Sequence, residues 1–316
     1  MALLDTVLDR SVIGGYSRLG YAIRSRTWNR LTPGSMVERT VAVTGATSGI
    51  GAAAAARIAA LGGSPILVGR DSDRAERVRA SILQAQPGAV VGIELGDVSD
   101  LSEVRELANR LTDRGVDGIV HNAGVMPPER TESADGHEMS LATHVLGPVL
   151  LTELLAPHLA AARDPRVVFM SSGGMYTASL PSDDLEYQSG AYRGARAYAR
   201  SKRVQVALLP ILADRWAAAG VTVSGMHPGW VDTPGVTESL PGFRRVVRPL
   251  LRSAEEGADT AVWLLSMEPT PPSGLFWHDR APRPTHYFGG SDDGLARVWR
   301  EIADACRIPE TKAAQP

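Results

Sequence analysis

The segment "YARSK" sets Tyr198 and Lys202 four residues apart. On a helix that spacing puts both side chains on one face, so a phenol and an ammonium can enter the same cleft. A neighbouring cation favours phenolate over phenol. The tyrosine pKa, near 10 when unperturbed, should then fall toward neutrality, where the hydroxyl can act as general acid or base. An isolated pair of this kind more often lies on a surface, but Ser171 and Ser172 close the apolar run "VVFMSS" upstream and would face the same cleft. Tyr192 is no rival, because the residue four positions on is Arg196.

A second stretch, "VAVTGATSGIGAAAAARIAA" from Val41 to Ala60, ends an apolar run in glycines and then launches a helix. Gly45, Gly49 and Gly51 allow a tight turn and close approach of a ligand, while Thr47 and Ser48 add hydroxyls. Backbone N–H groups at a helix start face negative charge, so the turn suits a pyrophosphate. An ordinary strand-to-helix turn is the plain alternative. The next apolar run, "PILVG", ends in Arg70, near the offset where a carboxylate would grip the ribose of NAD. A cation there suits the 2′-phosphate of NADP instead, and NADP(H) is preferred over NAD(H). Asp71 and Asp73 follow, and a solvated Arg70 paired with Asp71 is the competing reading.

Several elements must position these groups. Apolar or β-branched runs at 39–45, 65–69, 89–94, 117–121, 165–171, 221–226 and 274–278 alternate with helical periodicity at 50–62, 72–86, 101–114, 135–162, 195–219 and 255–268. The pattern predicts an α/β fold: one Rossmann-type, doubly wound parallel sheet of about seven strands over residues 37–306. Residues 1–36 form a helical extension in this reading, and 307–316 a flexible tail. Val7, Leu8, Val12, Ile13, Tyr16, Leu19 and Ile23 recur at helical spacing among arginines, as a membrane-surface helix would have them. Asp5, Asp9, Gly14, Gly15 and Gly20 favour a helix packed on its own domain or on a partner copy.

The 316 residues carry a net charge of −2, which gives no reason to expect nucleic acid as a partner. The sequence pattern shows no spanning run of about 18 apolar residues. Cys306 is the only cysteine and no metal-ligand spacing is evident, pointing to a reducing, cytoplasmic setting without a metal.

From residue 38 to about 290 the chain resembles the short-chain dehydrogenase/reductase family. "TGATSGIG", "GDVSD", "HNAGV", "VVFMSSGGMY", "YARSK" and "HPGWVDT" match its motifs in order, and "SSGGMY", "YARSKRVQV", "MHPGWVDTPGV", "LRSAEEGADTAVWL" and "RAPRPTH" match one branch more closely. The resemblance implies a dinucleotide site built from the glycine turn with Ile50, from Asp97 and Val98, from Asn122, Ala123 and Gly124, and from Pro228, Gly229, Val231 and Thr233. It implies that Ser172 orients the substrate oxygen, that Tyr198 exchanges its proton, and that Lys202 also holds the nicotinamide ribose. His144 stands where the family usually has a proton-relay asparagine. It could shuttle protons, leave a backbone carbonyl to hold the relay water, or be a core histidine bonded to the backbone. His121, in place of the first asparagine of the fourth-strand motif, is read as tolerated variation.

The expected function is NADP-dependent interconversion of an alcohol and a carbonyl on a small apolar substrate. The alternative is a cofactor-binding scaffold whose redox chemistry has lapsed; a hydrolase is disfavoured because no G-x-S-x-G elbow is present. Residues 233–253 are expected to form a substrate lid, with Val236, Leu240, Phe243, Val246, Val247, Leu250 and Leu251 lining a pocket and Arg244, Arg245, Arg248 and Arg252 solvated. The helices around 135–162 and 195–219 resemble those through which family members often dimerise, so a homo-oligomer is expected on Leu146, Leu150, Leu154 and their neighbours; the alternative is that these apolar positions only cover the sheet.

Overall fold

β-Branched and aliphatic runs become strands buried on both faces, as a parallel sheet covered by helices requires. The computed structural model describes residues 12–232, 248–287 and 293–309. Two helices, α1 (Val12–Tyr16) and α2 (Arg18–Ser25), precede the sheet. There follow β1 (Thr40–Thr44), α3 (Gly49–Ala60), β2 (Ser64–Gly69), α4 (Ser72–Ala85), β3 (Gly92–Leu95), α5 (Leu101–Asp113) and β4 (Gly118–His121). The chain continues through α6 (Met139–Leu159), β5 (Arg166–Met170), α7 (Gly194–Arg215), β6 (Thr222–Met226), α8 (Ala254–Ser266), β7 (Leu275–His278), β8 (Ala281–Pro282) and α9 (Leu295–Cys306).

The strand order is β3-β2-β1-β4-β5-β6-β7-β8. All neighbours from β3 to β7 are parallel, with Ala42 opposite Ile66 on one side and Ile119 on the other, while β8 runs antiparallel to β7. The seven expected strands are therefore joined by a two-residue edge strand too short to read from periodicity. Strand order reverses between β1 and β4, which opens a crevice at the carboxyl ends of the strands.

Leu107, Leu111, Val149, Leu155 and Leu208 of α5, α6 and α7 cover one face of the sheet. Ala54, Ala55 and Ile58 of α3, with Ala261 and Leu265 of α8, cover the other. Each large side chain so buried stabilises the fold by about 1.5–3 kcal/mol. Asp71, Asp100 and the Ser253/Glu256 capping box satisfy the first N–H groups of α4, α5 and α8.

The helix predicted at 135–162 starts at Met139 and contains a π turn over Ala142–Leu146. Leu146 and Leu150 are buried inside this chain, because Val298, Ile302 and Cys306 of α9 join the same core; the Cys306 thiol donates to the Leu146 carbonyl at 3.5 Å. This corrects the expected oligomer face: of its three leucines only Leu154 is exposed, at 36%. By length and composition α6 could cross a membrane, contrary to the reading of the sequence, but most of it is buried as a core helix. α2 turns Gly20 and Arg24 into the domain, so its inward face is occupied by the protein itself. Residues 1–11 lie outside the described residues. Ile308 packs in the core, so ordered packing extends into the expected tail, whose residues 310–316 are likewise outside the description.

Burial holds four histidines neutral. His121 is pushed down to about 3 and His278 to about 4, and His144 and His227 also lie well below their ordinary value. Unfolded histidine titrates near 6.5, so at lower pH the unfolded chain binds more protons, and stability present above that value is lost as pH falls toward the folded values. Urea unfolding should show a loss of up to about 1.4 kcal/mol per pH unit per histidine below pH ~6.5. An unchanged midpoint between about pH 7.5 and about pH 5 would contradict this assignment.

Candidate active site

β5 is followed directly by Ser171 and Ser172, after which the chain turns into a 3-10 segment over Gly173–Thr177. The two serines separate in role. Ser171 is buried and donates its hydroxyl to the Lys202 carbonyl at 3.0 Å, tying β5 to α7. Ser172 accepts from the Gly174 N–H at 3.1 Å, and its hydroxyl acts to lower the Tyr198 phenol pKa.

Tyr198 and Lys202 project from one face of α7, with the ammonium 5.6 Å from the tyrosine ring centre. Lys202 is 2% exposed and donates to the Met170 carbonyl at 2.7 Å. Burial pushes its pKa down to about 7. Burial also pushes the Tyr198 phenol up, opposed by the influence of the Ser172 hydroxyl. Among the protein's own groups desolvation outweighs the help this hydroxyl receives, so the expected fall of the tyrosine pKa toward neutrality would need the oxidised nicotinamide beside it as well as Lys202.

His144 lies in the π turn of α6, its ring edge-on to Tyr198 at 5.2 Å. Its Nε2 accepts from the Val125 N–H at 3.0 Å, so the proton belongs on Nδ1, which donates to the Ser201 hydroxyl at 2.7 Å. Ser201 donates in turn to the Tyr198 carbonyl at 2.9 Å. Both ring nitrogens are occupied and burial disfavours the charged ring, which makes His144 a neutral strut between the 122–125 loop and α7. Its backbone carbonyl accepts from Gln205 Nε2 at 2.6 Å. The arrangement fits the core-histidine reading and leaves no ring nitrogen for a proton shuttle. Ser201, adjacent to Lys202, gave no signal in the sequence beyond its place in "YARSK".

The glycine turn fits a pyrophosphate. Gly45 and Gly49 take positive φ, at 66° and 53°. A Cβ on Gly45 would lie 2.8 Å from the Ala123 Cα, and one on Gly51 would lie 2.5 Å from the Asn122 side-chain nitrogen. Asn122 donates to the Thr44 and Gly45 carbonyls at 2.9 and 3.2 Å, while Thr44 Oγ1 accepts from the Asn122 and Ala123 N–H groups. The "HNAGV" loop therefore shapes the turn from behind, and Thr44, the first residue of "TGATSGIG" and given no role in the reading of the sequence, is a member of the site. Unlike α4, α5 and α8, helix α3 has no side-chain cap at Ser48, so its first N–H groups remain open toward the crevice. Ile50 and Val231 meet over Gly257, where α8 crosses α3.

Arg70, with a side chain 66% exposed at the end of β2, pairs with Asp97 at 3.0 Å. The competing pairing with Asp71 gives way, since Asp71 caps α4 and bridges Arg74. Asp97 also accepts from the Ser99 N–H and hydroxyl, which hold its carboxylate below the ordinary value against the cost of burial. Val98 is buried beside it and Gly124 is exposed at the crevice.

His227 ends the loop's approach from β6, and Gly229 has φ 80°. Pro228 and Val231 are buried in the loop, whereas Thr233 and the lid through residue 247 lie outside the described residues. Within the remaining lid, Leu251 is buried, and Arg252 overturns its reading as a solvated charge: it is 1% exposed and ion-paired with Asp279 at 2.6 Å. A guanidinium so placed needs a carboxylate, and Asp279 came from a segment the sequence pattern did not connect with the lid.

The sequence pattern of the short chain dehydrogenase family matches residues 39–242. Dehydrogenase/reductase SDR family member 12 of Bos taurus is 41% identical, covering 78% of each chain, and thereby identifies the branch with the closer motif matches. A Streptomyces protein provisionally assigned as a daunorubicin C-13 ketoreductase is 36% identical over 86% of this chain and 94% of its own. Among solved structures, a Beutenbergia cavernae protein assigned as an NAD(P)-dependent gluconate 5-dehydrogenase, with NADP at low occupancy, is 28% identical and superposes with a TM-score of 0.60 over 74% of this chain and 91% of that one. Motifs, fold and relatives agree: the chain belongs to the short-chain dehydrogenase/reductase family of NAD(P)-dependent oxidoreductases.

Proposed function

We propose that the protein interconverts an alcohol and a carbonyl on an apolar small molecule with NADP(H), and that Tyr198 is its acid/base. The observation that carries the reading is the placement of the Tyr198 ring 5.6 Å from the buried Lys202 ammonium, which the Met170 carbonyl holds at the end of β5 immediately before Ser171 and Ser172. A bound nicotinamide would supply or accept the hydride. Ser172 orients the substrate oxygen and, with Tyr198, gives it two hydrogen-bonding hydroxyls as charge changes there. In reduction Tyr198 delivers its proton to that oxygen; in oxidation it takes the proton away. Lys202 compensates the phenolate that remains after delivery and would hold the nicotinamide ribose.

The open start of α3 would hold the pyrophosphate, and Asp97 the adenine. Arg70 supports NADP: it is exposed, fixed by Asp97, and occupies the end of β2 where NAD would want an acid. The apolar residues of the 233–251 segment and the ketoreductase relative support an apolar carbonyl substrate. Intact Ser172, Tyr198 and Lys202, with His144 in a structural role, leave the lapsed-scaffold reading without an observation in its favour. The single, buried cysteine supports a reducing, cytosolic setting.

Tyr198→Phe should lower kcat by more than about a hundredfold while NADPH affinity stays within about threefold. Turnover within about threefold of the parent, on any carbonyl found by an NADPH absorbance screen, would remove Tyr198 as acid/base. Arg70→Asp should weaken NADPH by more than about tenfold and spare NADH, measured by fluorescence titration. Equal loss of both cofactors would contradict the 2′-phosphate assignment.

A further inference from the structure

The N-terminal segment reaches the carboxyl ends of β5, β6 and β7, where the active site is built. Three successive backbone carbonyls are engaged there. Gly15 accepts from Arg252 Nη2 at 2.9 Å and from Arg24 Nη1 at 3.2 Å; Tyr16 accepts from the Trp230 N–H at 2.8 Å; Ser17 accepts from Arg252 Nε at 3.2 Å. Arg252 also donates to the Pro228 carbonyl at 3.2 Å. The loop bearing the family's proline and glycine is thus bonded to residues 15–17 directly and through one guanidinium.

The Tyr16 side chain touches the site from the other side. Its ring is buried, edge-on to His227 at 4.5 Å and His278 at 5.3 Å. A Cβ on Gly173 would lie 2.7 Å from Tyr16 Cε2, so the ring sits flush on the residue that follows Ser172. A Cβ on Gly229 would lie 2.7 Å from the Tyr16 carbonyl oxygen. Two glycines on two active-site loops therefore make room for one N-terminal residue.

A buried ion cluster fixes the segment. Asp279 accepts from Arg252 through both oxygens, at 2.6 and 2.9 Å, and from Arg24 at 2.8 Å. Arg24 stands about two turns along α2 from Ser17, and withdrawing it would strand Asp279 with one of its two cations gone. Tyr16, Arg24, Arg252 and Asp279 all lie outside residues 39–242, the part matched by the family pattern.

We infer that Gly15–Ser17 is a built-in clamp and Tyr16 a positioning residue, setting the Ser172–Gly173 corner and the Pro228–Trp230 loop against each other. The inference rests on the oxidoreductase reading above. Displacing the ring frees both loops at once, so cofactor binding and turnover suffer together even when the sheet remains folded.

Four variants test it with NADPH as the probe. Tyr16→Ala should raise the NADPH Kd by more than about fivefold and lower kcat/KM by more than about tenfold, with part of the loss in kcat. Tyr16→Phe keeps the ring and should stay within about twofold of the parent in both. Val298→Ala, a core truncation on α9, should lower Tm but leave NADPH Kd and kcat/KM within about twofold. Gly173→Ala, pressing on the same ring from the opposite side, should reproduce the Tyr16→Ala losses and decides the matter if Tyr16→Ala does not fold. Values for Tyr16→Ala and Gly173→Ala within about twofold of the parent, or equal losses in Val298→Ala at the same Tm, would overturn the clamp while leaving the oxidoreductase reading intact. A folded parent that binds neither NADPH nor NADH would overturn both.

Discussion

Lys202 and Tyr198 are desolvated in the same pocket, and this constraint governs the rest of the site. Burial pushes the ammonium down to about 7 and the phenol upward, so each group by itself is driven toward its neutral form. A phenolate can form there only where positive charge is held beside it. The Met170 carbonyl and the Ser172 hydroxyl are therefore working parts of the site: one holds the lysine head at the end of β5, and the other works against the upward push on the phenol. Both depend on the junction of β5 with α7, which Ser171 bonds to the Lys202 carbonyl.

The remaining architecture keeps that junction fixed against the cofactor crevice. His144, neutral and bonded through both nitrogens, links the loop after β4 to Ser201 and so to the backbone of Tyr198. Asn122 and Thr44 brace the glycine turn from behind, and α3 approaches closely because Gly51 leaves room for Asn122. His144 thus connects α6 to α7 with both ring nitrogens already engaged.

Much of this was legible in the sequence because it is local. The strand and helix periods, the glycine turn and the Tyr198/Lys202 spacing each depend on neighbours within about one turn or one strand. The α6 leucines misled because their apolar pattern is the same whether a partner copy or α9 covers them. Arg252 misled for a related reason: its carboxylate, Asp279, is distant in sequence, and a run of lid arginines reads as solvated. The π turn in α6, the tautomer of His144 and the contact of Tyr16 with Gly173 arise only when elements far apart in the chain meet. Thr44 lay in plain view beside Gly45, but its role depends on the loop after β4.

The most direct test of the central claim is isotope transfer from NADPH carrying deuterium at C4, prepared as each of the two stereoisomers and offered with a carbonyl that the protein consumes. Mass spectrometry of the product should find an alcohol heavier by one deuterium with one stereoisomer and not the other, and the Tyr198→Phe protein should form that labelled alcohol more than about a hundredfold more slowly. An unlabelled alcohol from both stereoisomers, or full labelled turnover without the Tyr198 hydroxyl, would contradict hydride transfer governed by this tyrosine.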